Sequence, residues 1–382
     1  MKDAARPRSE CYAVCAPGLE GLLVAELQRL GIRPGRAVRG GVPFAASTRQ
    51  VYAANLFLRT ATRVLVRIAS FEASSFDVLA REARRVAWER WLGPDAHVAW
   101  HVSSTASRLY HTGAIAERLA GAVPADVVAG GGGEEEEGGA ADVQPLFARV
   151  ERDRVTLSID ASGEPLYRRG WRQATAKAPL RETLAAAMIL ASGWDGETPF
   201  LDPLCGSGTI AVEAALFARG IAPGLGRTFA FQRWPAFEPG TWASVKGQAA
   251  AQANPSRPVV VVASDRDPGA VRAASENARR AGVEDAVTVL HRPLSELELP
   301  ASGAGAGRLV ANPPYGVRVQ RGGDLRDLYA TLGRVVRERL PGWSVGLLVA
   351  DSSLAEATGL QLTTRFRTSN GGIAVRFMTT RE

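Results

Sequence analysis

Three short segments carry side chains whose types and spacing suit chemistry on a nucleoside. They are Asp202 in FLDPLCGSGT, Asp265 in VVVVASDRDPG and Asn312-Pro313-Pro314-Tyr315 in LVANPPYGVRV. Each follows an apolar run that reads as a buried strand. After Asp202, Gly206 and Gly208 let the backbone approach a ligand closely, and a helix starts near Thr209. The loop lacks the Gly-Lys-Ser/Thr of a Walker A motif and the full G-x-G-x-x-G of a dinucleotide site. A carboxylate ahead of it suits a cationic ligand group, such as the α-amino group of a methionine moiety. Asp265 ends its strand where a carboxylate can accept both ribose hydroxyls. Asp267, directly before Pro268, reads as a helix N-cap.

The third segment stiffens the end of a strand with two prolines. An Asn amide oxygen and a rigid prolyl carbonyl can both accept from one exocyclic amino group, while Tyr315 stacks on the ring that bears it. Such an amino group is a poor nucleophile because its lone pair is conjugated. Two fixed acceptors draw it toward tetrahedral geometry and aim the lone pair at a sulfonium methyl, an orientation effect of several kcal/mol.

These corners need a parallel sheet beneath them. From about residue 179 the pattern alternates strand and helix, which predicts a parallel sheet with crossover helices. PLRETLAAAMILASGW reads as a helix with Pro179 in its first turn, and LQLTTRFRTSNGGIAVRFMTT as a closing hairpin around Ser369–Gly372. Residues 1–160 read as small α+β units. LEGLLVAELQRLG is a helix stopped by Gly31, and STRQVYAANLFL is a helix capped by Ser47 or Thr48. The GGGGEEEEGG run at 130–139 is too polar to supply a core and reads as a surface loop.

With 382 residues the chain has room for two or three domains, and 46% hydrophobic with 22% charged residues reads as a soluble globular protein. Three cysteines argue against a disulfide scaffold and for a cytoplasmic protein. Cys11, Cys15 and the four histidines show no metal-ligand set. No apolar run spans a membrane and no signal peptide is evident. Of the net charge of +7, six lie in residues 1–130, where 17 Lys/Arg face 11 Asp/Glu. That asymmetry suits a polyanion-binding module. Arg81, Arg84, Arg85 and Arg108 are candidate phosphate contacts. So are Arg168, Arg169 and Arg172 in YRRGWR, where Tyr167 and Trp171 could also stack on bases.

Together, DPLCGSGT, SDRD and NPPYG resemble the class I S-adenosylmethionine-dependent N-methyltransferases. LYRRGWRQATAKAPLRETLAAAMILASGW, APGLGRTFAFQRW, APGLEGLLVAELQRLG and SRLYHTGAIAERLA narrow the resemblance to the THUMP-domain RNA guanine-N2 methyltransferases. Within them it is nearest to the L half of the K/L-type large-subunit ribosomal RNA enzymes. The resemblance runs from about residue 10 to 380. It implies a ferredoxin-like unit at 1–68, a THUMP domain at 69–162 and a Rossmann-like methyltransferase domain at 163–382, seven-stranded and mostly parallel with an antiparallel hairpin at its end. Asp202, Pro203, Cys205, Gly206, Gly208, Thr209, Asp265 and Arg266 would hold S-adenosylmethionine. Asn312, Pro313, Pro314 and Tyr315 would be the catalytic tetrapeptide. Arg108, Arg168, Arg169, Trp171 and Arg172 would meet RNA: 23S ribosomal RNA, or alternatively transfer RNA.

Two departures stand out. Pro293 occupies the place where many relatives carry an adenine-contacting Asp, and a fused second methyltransferase half is expected to be absent. The expected protein is a metal-free cytoplasmic monomer. An adenine-N6 or protein-glutamine methyltransferase shares the Asn-Pro-Pro-Tyr logic, and a non-catalytic RNA-binding assembly factor is a third reading.

Overall fold

The structure is a computed structural model that describes residues 8–127, 142–173, 180–298, 305–315 and 325–381. The Gly/Glu run at 130–139, Pro179 and residues 316–319 lie outside the described residues.

The first half forms one seven-stranded sheet. Its strands are β1 (Ser9–Cys15), β2 (Gly41–Ala46), β3 (Ala61–Glu72), β4 (His97–Thr105), β5 (Asp126–Val127), β6 (Val143–Glu151) and β7 (Arg154–Asp160), in the order β2-β1-β3-β7-β6-β4-β5. β3 is the hinge of this layout. It pairs with β1 from Cys11↔Val66 to Cys15↔Ala61, and with β7 from Leu65↔Asp160 to Glu72↔Arg154. The expected division between residues 68 and 69 therefore falls inside a strand that both units share. The helices are α1 (Glu20–Arg29), α2 (Thr48–Phe57), α3 (Phe76–Arg84) and α4 (Thr112–Ala120). α1 buries Leu23 and Leu27, and the chain leaves it at Gly31 with φ +67°. Ser47 and Gln50 form a reciprocal capping box at the start of α2.

The second half forms a separate seven-stranded sheet of β8 (Phe200–Asp202), β9 (Val261–Asp265), β10 (Val287–His291), β11 (Arg308–Ala311), β12 (Ser344–Val349), β13 (Leu362–Asn370) and β14 (Ile373–Thr380). The order is β10-β9-β8-β11-β12-β14-β13, parallel up to β12 and antiparallel at the closing hairpin. Both faces are covered by helices, so β8, β9 and β11 read as continuous apolar runs. The helices are α5 (Glu182–Ala191), α6 (Thr209–Ala218), α7 (Pro239–Gln252), α8 (Pro268–Arg280), α9 (Leu325–Arg339) and α10 (Ser352–Ala357). The hairpin turns at Gly371 (φ +56°) and Gly372 (φ +80°), the two left-handed residues that a type I′ turn requires.

One apolar core runs through both halves. Tyr52 of α2 stacks on Phe231 with centroids 4.2 Å apart, and Trp242 of α7 meets the Tyr52 ring edge-on at 6.0 Å. The 221–257 insertion thus joins the two halves. Its Arg227 donates to the carbonyls of Pro165 (2.7 Å) and Arg168 (3.0 Å), which fixes the path of the linker. At the centre lies Glu213 of α6, fully buried. Arg169 of the linker reaches it at 3.3 Å and Arg59, just after α2, at 3.7 Å.

Removing one member of a buried ion cluster leaves charge without a partner. Glu213→Ala should therefore lower the unfolding free energy by about 3–5 kcal/mol. Arg168→Ala removes an exposed i,i+4 pair with Glu164 and should cost under about 1 kcal/mol. Denaturant midpoints of the two variants check the contrast.

Candidate active site

The three chemistry-bearing segments meet at the carboxyl ends of β8, β9 and β11, the edge of an open α/β sheet where ligands bind. β8 lies between β9 and β11, with Asp202 level with Ala263 and Leu201 level with Leu309.

Asp202 is 1% exposed. Its Oδ1 accepts a long bond from the Leu204 amide (3.4 Å), and its Oδ2 is buried with no hydrogen-bond partner. Burial pushes this carboxyl up to about 8, and the nearby charge of Asp265 adds to the rise. A buried acceptor left open suits a cation supplied by a ligand.

The loop after it is built from backbone. The Cys205 amide donates to the Ser264 carbonyl (3.0 Å) and the Gly208 amide to the Cys205 carbonyl (2.8 Å). Gly206 (φ +51°) has open space where a side chain would stand, so a ligand can reach its backbone. Gly208 (φ +79°) has a different task. A Cβ there would lie 2.9 Å from that of Ala274, so this glycine lets α6 and α8 approach. Thr209 begins α6 and is buried, and Pro203 accepts weakly from the Ser264 hydroxyl (3.4 Å). The Cys205 thiol is buried, and burial holds it protonated. Asn277 of α8 donates to the Ser207 carbonyl (2.9 Å), which steadies the loop from behind.

Asp265 joins two of the loops: its oxygens accept from the Gly206 amide (3.0 Å) and the Asp267 amide (3.0 Å). Each oxygen keeps a second lone pair with which it could take a hydroxyl. Asp267 caps α8 through the Gly269 amide at 2.7 Å. Arg266 is exposed, and its carbonyl meets the His291 ring at 3.1 Å. Pro293 stands after β10 at the start of a short turn, with no side-chain bond.

At the third corner the Asn312 Oδ1 is buried and unpartnered. Pro313 is buried and Pro314 exposed. Tyr315 is half-buried, and its hydroxyl accepts from the Asn370 amide at 2.7 Å. Two open acceptors, Asp202 Oδ2 and Asn312 Oδ1, thus belong to neighbouring strands. Asn370 escaped the sequence reading, where it counted only as a turn residue; nothing local links positions 315 and 370.

The YRRGWR cluster requires correction. Arg169 (4% exposed) is spent on Glu213, Trp171 (6% exposed) lies in the core, and Arg172 is bonded to Glu182 (3.0 Å) and to the Leu180 carbonyl. These groups bind the linker to the second half through Glu213 and Glu182. Arg168 is paired with Glu164 (2.9 Å) and Arg108 with Asp153 (2.8 Å). Arg81 and Arg85 share Glu82.

A doubly wound sheet with this strand order, an acidic residue and glycine loop after β8, and Asn-Pro-Pro-Tyr after β11 define a class I methyltransferase fold. Comparison with known proteins agrees. The family of RMKL-like methyltransferase domains (UPF0020) matches residues 169–378, and the RlmL ferredoxin-like domain matches residues 10–65. The chain belongs to this RMKL-like methyltransferase family.

Among its relatives is the ribosomal RNA large subunit methyltransferase K/L of Cellvibrio japonicus, 34% identical over 95% of this chain and 50% of that protein. A putative RNA methyltransferase of Synechocystis is 31% identical over 95% of this chain and 94% of its own length. The chain spans about half the length of the K/L proteins it matches. Two solved structures superpose almost throughout. SMU.472, a putative methyltransferase complexed with SAH, has a TM-score of 0.85, is 28% identical and covers 98% of both chains. A Listeria monocytogenes protein described as a predicted N6-adenine-specific DNA methylase has a TM-score of 0.84, is 32% identical and covers 97% of this chain and 96% of its own.

The raised Asp202 acidity gives a pH signature. An acid harder to ionise folded than unfolded weakens the fold as it is made to ionise, so its contribution falls as pH rises from the ordinary 3.8 through about 8. Asp202→Asn removes that dependence. The melting temperature of the ligand-free variant relative to the parent should climb from pH 5 to about pH 8 and level off above it, as thermal scans would show.

Proposed function

We propose that this chain transfers the methyl group of S-adenosylmethionine to the exocyclic N2 of a guanine in RNA, with ribosomal RNA as the substrate class. The observation that carries this reading is the pair of buried open acceptors at adjacent strand ends, Asp202 Oδ2 and Asn312 Oδ1. Asp202 is placed for the cofactor's ammonium group and Asp265 for its ribose, with the Gly206 backbone open between them. The SAH bound in SMU.472, which superposes over 98% of this chain, supports that cofactor. Bound there, S-adenosylmethionine supplies an electrophilic methyl on a sulfonium.

The rest is the work of this chain. Asn312 Oδ1 and the Pro313 carbonyl accept the two hydrogens of the target amino group and orient its lone pair. The double proline keeps both oxygens fixed, so their alignment is settled before the base arrives. Tyr315, held by Asn370, offers a ring for the base to stack on. The target must be unpaired or flipped to reach this corner. The K/L relatives support ribosomal RNA, and the excess of basic residues in the first 130 positions supports RNA over a protein substrate. We also read residues 69–162 as a THUMP-type RNA-binding module.

Asn312→Ala should cut turnover by about 100-fold or more, the scale on which one preorganised polar group acts. S-adenosylmethionine binding, read by calorimetry, should stay within about twofold, since the Asn312 amide acts on the other substrate. Nucleoside mass spectrometry of ribosomal and transfer RNA fractions from a deletion strain identifies the product. Loss of N2-methylguanosine from ribosomal RNA is the expected result; loss of N6-methyladenosine, or an unchanged profile, would refute the guanine assignment.

A further inference from the structure

We infer that the cleft between the N-terminal half and the β13–β14 hairpin is the track for the RNA strand flanking the target base. This rests on the proposed RNA substrate and names the surface that grips it. The cleft measures about 650 Å³. On one wall Val38 and Arg39 project from the 33–40 loop; on the other, Arg367 and Ser369 project from β13.

Three observations converge on it. The first is the supply of unspent cations. Arg33, Arg36 and Arg39 recur every third residue along one exposed loop; Arg39 lines the cleft, and Arg367 is exposed across from it. Among the described residues none of the four is paired with an acid. Among the arginines read from the sequence as phosphate contacts, Arg81 and Arg85 are neutralised by Glu82, Arg108 by Asp153, Arg168 by Glu164 and Arg169 by Glu213, while Arg84 has no acidic partner among the described residues. Uncompensated guanidinium groups on two facing walls suit a chain of phosphates threaded between them.

The second observation is that the cleft is built. A Cβ on Gly18 would lie 1.8 Å from the Arg367 carbonyl, so the two walls meet backbone to backbone. Glu20, the acid lining the cleft, has its oxygens on the Gly18 and Gly40 amides, both at 2.8 Å. It fastens the wall, and among the described residues no ion pair joins it to the arginines. Val38, 46% exposed, adds an apolar surface of the kind a sugar or base face can cover.

The third is the route to the chemistry. Thr368 lines the cleft, and Asn370, two residues on and on the same face of β13, holds the Tyr315 hydroxyl. A strand lying in the cleft therefore runs along the same hairpin that holds the stacking ring. The arginines would grip the backbone while the target base turns inward to Asn312.

The test uses the full chain and a short fluorescein-labelled single-stranded RNA with a central guanine, read by anisotropy across a salt series. R39A/R367A should bind about tenfold more weakly. Its slope of log affinity against log salt should fall by about 1.4, since each single-strand phosphate contact contributes about 0.7. R334A, which removes an exposed cation paired with Glu338 on α9, should match the parent, and both variants should bind S-adenosylmethionine normally by calorimetry. Photo-cross-links from a 4-thiouridine version of the probe should map to residues 33–40 and 365–374. If R39A/R367A keeps the parent's affinity and slope, or the cross-links fall elsewhere, the cleft is not the track, while methylation of RNA by the parent leaves the proposed function standing. If the parent prefers DNA of the same sequence, or binds and methylates no RNA, that function and this inference fall together.

Discussion

The structure depends on a carboxylate placed where no carboxylate would settle unaided. Glu213 is buried inside α6 and is tolerated because guanidinium groups reach it from two directions, Arg59 from the N-terminal half and Arg169 from the linker. Such a cluster gains little free energy over an apolar packing, because desolvation offsets most of the attraction. What it does supply is geometry: each partner is costly to withdraw alone. Glu213 also lies about one helical turn beyond Thr209, where the glycine loop ends. The same rigid helix therefore carries the ligand loop at its start and the inter-half clamp in its next turn.

The candidate active site follows the opposite rule. Around Glu213, buried charge is balanced by guanidinium groups even though its Oε2 has no hydrogen-bond partner; at the sheet edge, the open oxygens of Asp202 and Asn312 have no cation beside them among the described residues. Unsatisfied buried acceptors weaken a fold and are tolerated where a ligand completes them. The surrounding backbone bonds, from Cys205 to Ser264 and from Gly206 to Asp265, hold the site in shape without filling it.

The catalytic half was largely legible in the sequence because its signals are local. Strand, acidic residue, glycine loop and helix follow one another within about a dozen positions, and parallel strands leave little freedom in ordering them. The closing hairpin was legible for the same reason, through Asn370-Gly371-Gly372. Long-range partnership was not. YRRGWR reads the same whether its guanidinium groups face phosphates or buried acids; the difference lies at Glu213 and Glu182, which arrive from α6 and α5. β3 was visible as a strand, but its service to two neighbours at once, β1 and β7, is a matter of pairing that no local pattern encodes. α7 and α10 were missed because α7 lacks a clear apolar stripe and α10 is only six residues long.

The type I′ turn at Gly371 and Gly372 has a reach beyond the hairpin. The two-residue turn sets the pairing of Asn370 with Ile373, so gaining or losing one residue there shifts the end of β13 that carries the Asn370 amide. Tyr315, more than fifty positions earlier, would then lose the group that holds its hydroxyl. Drift in the length of a surface turn near the end of the chain is thus constrained by an aromatic ring far before it. Where most hairpin tips tolerate insertions freely, this one has its residue count tied to the position of Tyr315.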